Sequence, residues 1–266
     1  MTGLTFIIPV RHQTNAKDWA RLKGNLQQTA ASIAAQTSPN WNALVVANHG
    51  ADLPHLPPNF SDVRVDFPPN VLHDMDSADR ETVYQAFRQD KGRRVLAGLI
   101  AAHPRGHVMI VDDDDFVSRR LADHVARNPQ ANGWFIRKGY IWSDGGSLVL
   151  RHNSFSHLCG TSHIIRADLY RIPDRLDAAT PEYIQGTLGS HVHIADQLAR
   201  QGAPLIPLPF RGAIYRIGHA GAHSGSKSIW QTFFAHSHGI RSVLSNALRL
   251  GYLSPEMRRE FFAAQA

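Results

Sequence analysis

The chain has 266 residues, of which 43% are hydrophobic and 19% charged, the balance of a globular protein with one large core or two small ones. Lysine and arginine outnumber aspartate and glutamate 28 to 22, giving a formal net charge of +6. This favours an anionic partner such as a nucleotide phosphate, an acidic glycan or a membrane surface. Nucleic acid is excluded, because the basic residues are scattered and form no reading motif or basic helix. Cys159 is the single cysteine, which rules out an intrachain disulfide and a thiolate cluster and leaves oxygen and imidazole to hold any metal. No run approaches the ~20 apolar residues of a membrane span. The N-terminus MTGLTFIIPV lacks a basic region ahead of a long apolar stretch, so the expectation is a cytoplasmic protein, with peripheral contact to the inner face of a membrane left open.

Residues 4–10, LTFIIPV, are rich in β-branched and aromatic side chains and predict a buried strand. Trp19, Leu22, Leu26, Ala30 and Ile33 then recur at spacings of three and four, predicting an amphipathic helix. Residues 40–48, NWNALVVAN, give a second strand, so the chain begins with the strand, helix, strand order of a parallel crossover unit. A proline-rich excursion surrounds a short strand at 63–67. Asp90 is expected to cap a helix over 91–102, and HVMIV after Gly106 to form the next strand. Beyond Asn132 the alternation weakens. Residues 133–142 and 147–151 are predicted to pair antiparallel around Asp144-Gly145-Gly146, and 153–166 to be extended. Residues 190–200 are predicted helical and 204–216 strand-like, with helical segments at 229–234, 243–250 and 257–262.

Four aspartates, Asp112 to Asp115, follow directly on HVMIV. They fall at the C-terminal end of an expected central parallel strand, where open α/β sheets place their ligands. Clustered carboxylates raise one another's pKa unless a cation is present, and hard oxygen donors suit Mg²⁺ or Mn²⁺ bound jointly with a phosphate. Alternation along a strand would give Asp112 and Asp114 one direction and turn Asp113 away. The plain alternative is a solvated acidic turn capping a helix over 116–127.

LTFIIPVR, NLQQTAASIAAQ, WNALVVANHGAD, KGRRVLAGLIAA and VMIVDDDDFVSRRLADHV resemble, in order and spacing, the nucleotide-sugar domain of GT-A glycosyltransferases, especially those like family 2. The resemblance implies an α/β fold with a mostly parallel, Rossmann-like central sheet flanked by helices, an antiparallel acceptor-side portion and a helical C-terminus. Residues 1–225 would form the transferase domain, with a donor half at 1–118 and an acceptor half at 119–225, and 226–266 a C-terminal helical segment. The resemblance further implies that Asp112 contacts ribose, that Asp114 ligates Mn²⁺ or Mg²⁺ under the diphosphate, and that Asp115 is a further ligand or supporting carboxylate. Pro9, Val10 and Arg11 would line the base, Lys91 and Arg94 would approach the base or phosphates, and Asp113 would border the nucleotide-sugar site. Ala47 and Asn48 stand where the family usually has an acidic pair, and Asn48 could offer the base its amide.

HVHIADQLARQG resembles the family segment bearing the catalytic base, with Asp196 in that place and Ala195 where glutamate is common. His193, one helical turn before Asp196, is expected to orient that carboxylate or to rival it as base; the bland alternative for Asp196 is a surface ion pair with Arg200. His219 and His223, in the loop GHAGAHSGS, stand where several GT-A enzymes place a late metal-ligating histidine. Tyr140, Trp142, His157, Gly160 and Thr161 are expected to form the acceptor site, whereas Trp134 and Phe155 suit core packing better. The expected activity is metal-dependent transfer of a sugar, from a UDP-sugar in the first instance, to a glycan or lipid-linked glycan, with inversion resting on Asp196. A nucleotidyltransferase is less well served, because PVRHQTNAKDWARLKG has no glycine-rich phosphate loop. Ala47 and Ala195 keep open a non-catalytic glycan- or nucleotide-binding module.

Overall fold

The computed structural model describes residues 3–72, 79–218, 228–235 and 240–263. The strands in chain order are β1 (Leu4–Pro9), β2 (Trp41–Asn48), β3 (Phe60–Val65), β4 (His107–Ile110), β5 (Phe116–Val117) and β6 (Gly133–Phe135), then β7 (Gly139–Ser143), β8 (Leu148–His152), β9 (His163–Arg166), β10 (Ile206–Pro207), β11 (Ala213–Ile217) and β12 (Leu250–Tyr252). The helices are α1 (Trp19–Ala34), α2 (Arg80–Ala102), α3 (Leu121–Arg127), the single turn α4 (Pro181–Tyr183), α5 (Ile194–Arg200), α6 (Ile240–Arg249) and α7 (Pro255–Phe261).

One sheet has the order β10-β6-β9-β4-β1-β2-β3 and the other β12-β8-β7-β11-β5. In the larger sheet β1 to β4 run parallel, and β9 pairs antiparallel with both β4 and β6. Successive residues of β1 point to opposite faces. Phe6 and Ile8 therefore meet Leu22, Leu26 and Ile33 of α1 with Leu121 and Val125 of α3, while Ile7 meets Val95, Leu96 and Leu99 of α2 with Ile194 and Leu198 of α5. Each such aliphatic side chain contributes about 1.5–3 kcal/mol through burial, which fixes the helices on both faces of the sheet. The result is the mostly parallel, Rossmann-like α/β arrangement expected from the sequence.

The chain leaves β1 toward β2 on one side and reaches β4 on the other. The crevice between the C-terminal ends of β1 and β4 is thus the topological switch point of the sheet. The aspartate run spans the gap between β4 of the larger sheet and β5 of the smaller one.

Five segments differ from expectation. Helix α2 begins at Arg80 rather than Lys91; Asp79 caps it by accepting the Thr82 N–H at 3.3 Å, and Asp90 lies within it. Residues 133–142 are divided between the sheets, β6 joining the larger and β7 pairing with β8 as a hairpin in the smaller. Residues 116–127 begin as β5 and become helical only at Leu121, and of 153–166 only His163–Arg166 is a strand. The C-terminal segment, expected to be helical, also adds β12 to the edge of the smaller sheet. Ser254 caps α7, and Phe261 and Phe262 pack against Tyr140, Trp142 and Phe116.

Candidate active site

A cavity of about 310 Å³ opens at the switch point. Pro9 and Arg11 reach it from the end of β1, Asp112 and Asp113 from the end of β4, and Asp90, Lys91 and Arg94 from one face of α2. Tyr84, Phe87 and Arg88, from the unforeseen first turns of α2, and residues 189–192 close its other walls.

Its charges are paired. Lys91 donates to Asp112 Oδ1 in an ion pair; burial opposes the ammonium form, but the Asp112 carboxylate overrides it and holds the Lys91 pKa above its ordinary value. Arg94 is 1% exposed. Its Nε donates to Asp90 Oδ2 at 3.1 Å and its Nη1 to Asn48 Oδ1 at 2.7 Å. Arg93 shares Asp90 and stacks over Phe67 with its guanidinium carbon 4.6 Å from the ring centroid. Gly160 lies against the Lys91–Asp112 pair, where a Cβ would stand 2.6 Å from Asp112 Oδ2 and 2.8 Å from Lys91 Nζ.

The aspartates do not alternate as strand residues would. Asp115 N–H donates to the Asp112 carbonyl at 3.3 Å, closing a turn, and Asp113, expected to face away, lines the cavity beside Asp112. Asp115 is fully buried. Its Oδ1 accepts the Arg216 N–H and its Oδ2 the Cys159 thiol, each at 3.1 Å, and the Thr161 hydroxyl adds a third bond. Burial, followed by the charges of Asp114 and Asp112, pushes the Asp115 pKa well above the carboxylate range. Asp115 therefore supports the turn from behind, with hydrogen bonds on both of its oxygens. Thr161 also accepts the Asp112 N–H at 2.9 Å, so one hydroxyl ties both ends of the run.

A second cavity, about 230 Å³, adjoins the first and shares His191 and Val192 with it. Asp196 on α5, His157 and His163 line it, together with Phe135 and Leu205. Burial, then the neighbouring His191 and His157, lowers the His163 pKa to about 3; burial, then Lys91, lowers that of His191 to about 4. A third space of about 20 Å³ lies between Lys91, His163 and His191, room for roughly one water.

Several expected site residues lie elsewhere. Val10 is buried in the core, because its N–H continues the ladder to the Val46 carbonyl and strand alternation turns its side chain away from the face of Pro9 and Arg11. Asn48 is buried behind Arg94, its amide donating to the Phe67 carbonyl at 2.7 Å, so it positions the guanidinium rather than facing a base. Trp142 donates to the Gly146 carbonyl at 2.7 Å and packs edge-on against Phe116 and Phe262. Tyr140 lies between Phe261 and the Arg211 guanidinium. Both rings belong to the core under α7, not to an acceptor wall. Thr161 is wholly buried in the aspartate turn, and Gly160 borders the smallest space. His193 is exposed, caps α5 instead of lying on it, and lines none of the three cavities. His219 and His223 lie outside the described residues.

The sequence reasoning missed His191, His163, Tyr84 and Phe87. The HVH segment just before Asp196 could have pointed to His191, had the helix been started at Ile194.

No protein-family model matches the chain, and no curated protein matches it. Among solved structures, that of S. aureus TarS is similar over 81% of this chain and 37% of its own, at 14% identity and a TM-score of 0.42. A protein from Desulfovibrio desulfuricans G20, provisionally named a nucleotide-diphospho-sugar transferase, is similar over 92% of this chain and 95% of its own, at 11% identity and a TM-score of 0.37. This chain therefore spans little more than a third of the length of TarS. The functional reading rests on the cavities.

Proposed function

We propose that this chain is a glycosyltransferase, moving a sugar from a nucleotide-diphosphate donor, UDP-linked in the first instance, to a hydroxyl of a glycan or lipid-linked glycan. The observation that carries the reading is the switch-point cavity, where the Lys91–Asp112 pair meets Arg11, Arg94 and Asp113. A nucleoside diphosphate in that cavity would find a carboxylate for ribose hydroxyls and cations for its phosphates, contacts stronger than neutral hydrogen bonds. Asp196, in the adjoining cavity, is the proposed base: it takes the proton of the acceptor hydroxyl as that oxygen attacks the anomeric carbon opposite the leaving diphosphate. That direction of attack inverts the anomeric centre.

We propose further that a hard divalent ion is bound together with the diphosphate. Among the described residues no three His, Cys, Asp or Glu side chains gather in metal-holding geometry, and Mg²⁺ in phosphate sites commonly takes only one or two carboxylates, with phosphate oxygens and water completing its shell. The single thiol is committed to Asp115, which leaves oxygen donors, with Asp114 the proposed ligand. When bound, Mg²⁺ or Mn²⁺ would neutralise charge developing on the leaving diphosphate. Among the described residues no helix is long and apolar enough to cross a membrane. The exposed Trp230, Leu244, Leu248 and Tyr252 of the C-terminal segment support a peripheral site for a lipid-linked acceptor.

The deciding experiment measures nucleotide release from a panel of UDP-sugars with Mn²⁺, using the wild type, Asp114→Ala and Asp196→Asn. Turnover lost in both variants, with nucleotide still bound by Asp196→Asn, is the expected result. Full activity and metal-dependent binding in Asp114→Ala would remove the metal assignment. Pyrophosphate release from a nucleoside triphosphate and a sugar phosphate would make the chain a nucleotidyltransferase, and metal-independent glycan binding without turnover a non-catalytic module.

A further inference from the structure

His191 is the one side chain common to all three cavities. On one side it faces the space of Lys91, Asp112 and Asp113, and on the other that of Asp196, His157 and His163. Its backbone is pinned. Gly189 lies so close to α2 that a Cβ there would stand 2.0 Å from the Arg88 carbonyl oxygen, and a Cβ on Gly92 would stand 2.2 Å from that of Ile184. The segment is thus held against α2 at Ile184 and Gly189, two residues before His191, and close-packed interiors resist movement there. The ring donates to the His157 backbone, while Nε2 is buried and finds no hydrogen-bond partner among the described residues. Buried polar atoms are nearly always satisfied by protein, water or a ligand, and His191 lines the walls of cavities from which such a partner can come.

We infer that Nε2 of His191 accepts a hydrogen bond from a sugar hydroxyl at the junction of the donor and Asp196 cavities, which makes it a substrate-contacting residue; the inference rests on the glycosyltransferase reading above. With one ring nitrogen donating to His157, the other presents a lone pair as long as the imidazole is neutral. Burial and the nearby Lys91 charge lower the pKa to about 4 and keep it so at neutral pH. A carbohydrate hydroxyl is the matching donor. It belongs either to the sugar being transferred or to the acceptor, and these two sources leave different signatures.

The test uses the full chain as wild type, His191→Phe, which removes the acceptor atom, and His191→Gln, whose amide oxygen can stand near Nε2. UDP and UDP-sugars are titrated calorimetrically, and donor hydrolysis is compared with transfer. The expected result is UDP affinity unchanged in His191→Phe, with recovery in His191→Gln of whichever step is lost. If the hydroxyl is on the donor, His191→Phe loses about tenfold in UDP-sugar affinity, as for one lost hydrogen bond. If it is on the acceptor, donor affinity and hydrolysis hold while transfer falls by about tenfold or more. The inference is overturned if His191→Phe matches the wild type throughout, or if UDP itself weakens in step with UDP-sugar. Should the Phe variant not melt cooperatively, His191→Ala is read the same way. A wild type that binds no nucleotide or nucleotide-sugar sinks the functional reading and this inference together, whereas the patterns above sink the inference alone.

Discussion

The two larger cavities satisfy their polar groups in opposite ways. Around the donor cavity charge is met by charge: Lys91 by Asp112, Asp90 by Arg93 and Arg94, with Asn48 holding Arg94 from behind. Around the Asp196 cavity burial has emptied two imidazoles of charge, His163 to about 3 and His191 to about 4. A wall of fixed ion pairs suits a ligand of fixed charge and shape, such as a nucleoside diphosphate, because its cations are already oriented. Neutral imidazoles suit hydroxyls, which donate and accept with little charge. The difference predicts that substitutions on the donor side disturb stability and nucleotide binding together, and that those on the Asp196 side disturb catalysis with the nucleotide still bound.

The strongest break in that comparison would come from Arg94. Arg94→Met leaves Asp90 with Arg93 alone and Asn48 Oδ1 without its donor, so removal of this buried partner should cost about 3 kcal/mol of stability. Urea unfolding should register that loss, and UDP binding should vanish with it. An Arg94→Met protein with wild-type stability and affinity would show that the paired charges are surface decoration.

Asp196→Asn should separate the cavities more cleanly. Its carboxylate is exposed, so stability should hold within about 0.5 kcal/mol, as for most surface substitutions. Loss of a general base should lower kcat by roughly 10²–10⁴, with UDP affinity unchanged by calorimetry. A parallel drop in UDP affinity would mean that the two cavities act as one.

Acid should distinguish them by a smaller amount. His163 binds its proton only near pH 3 when folded, whereas an unfolded histidine does so near 6.5, so its contribution is present above about pH 6.5 and is lost as pH falls toward the folded value. Linkage gives roughly 2 kcal/mol lost between pH 7 and 5 from this residue. His163→Phe should flatten the dependence of unfolding free energy on pH by that amount. Asp115 acts in the other sense: its raised pKa means that the folded state takes up the proton first, adding stability as pH falls. Asp115→Asn should therefore steepen the acid loss that His163→Phe relieves.

The donor side was the legible one, and the reason is local. Pro9, Arg11 and Asp112 lie at the ends of apolar runs that read as central strands, and a strand end fixes where its next residues go; Asp113, expected to face away, does not, because the run turns instead of alternating. The rest depended on packing between distant segments. Asp90 imitated a helix cap, although the glycine two residues on, Gly92, marks where Ile184 presses on the middle of α2; Tyr84 and Phe87 were hidden by that misreading. His193 drew attention by its spacing from Asp196, but α5 begins one residue later, and the histidine that reaches both cavities is His191. Tyr140 and Trp142 read as a sugar wall, but Phe261 and Phe262, from a distant segment, pack over them and place both rings in the core.

Gly160 offers the smallest and most specific test of the ion-paired wall. A methyl at this position would meet the tips of Asp112 and Lys91 at 2.6 and 2.8 Å, flexible ends that can separate, rather than backbone that cannot. Gly160→Ala should therefore fold with a stability cost of at most about 1 kcal/mol, the scale of a partly exposed ion pair. Its effect should fall on recognition. With the pair spread, Asp112 loses the cation that orients it, and UDP affinity should drop about tenfold, one hydrogen bond's worth, while Asp196-dependent chemistry on saturating donor stays near the wild-type rate. Tighter UDP binding by Gly160→Ala would mean that Lys91 competes with the nucleotide for Asp112, and the pair would then be a latch to be opened rather than a wall already built.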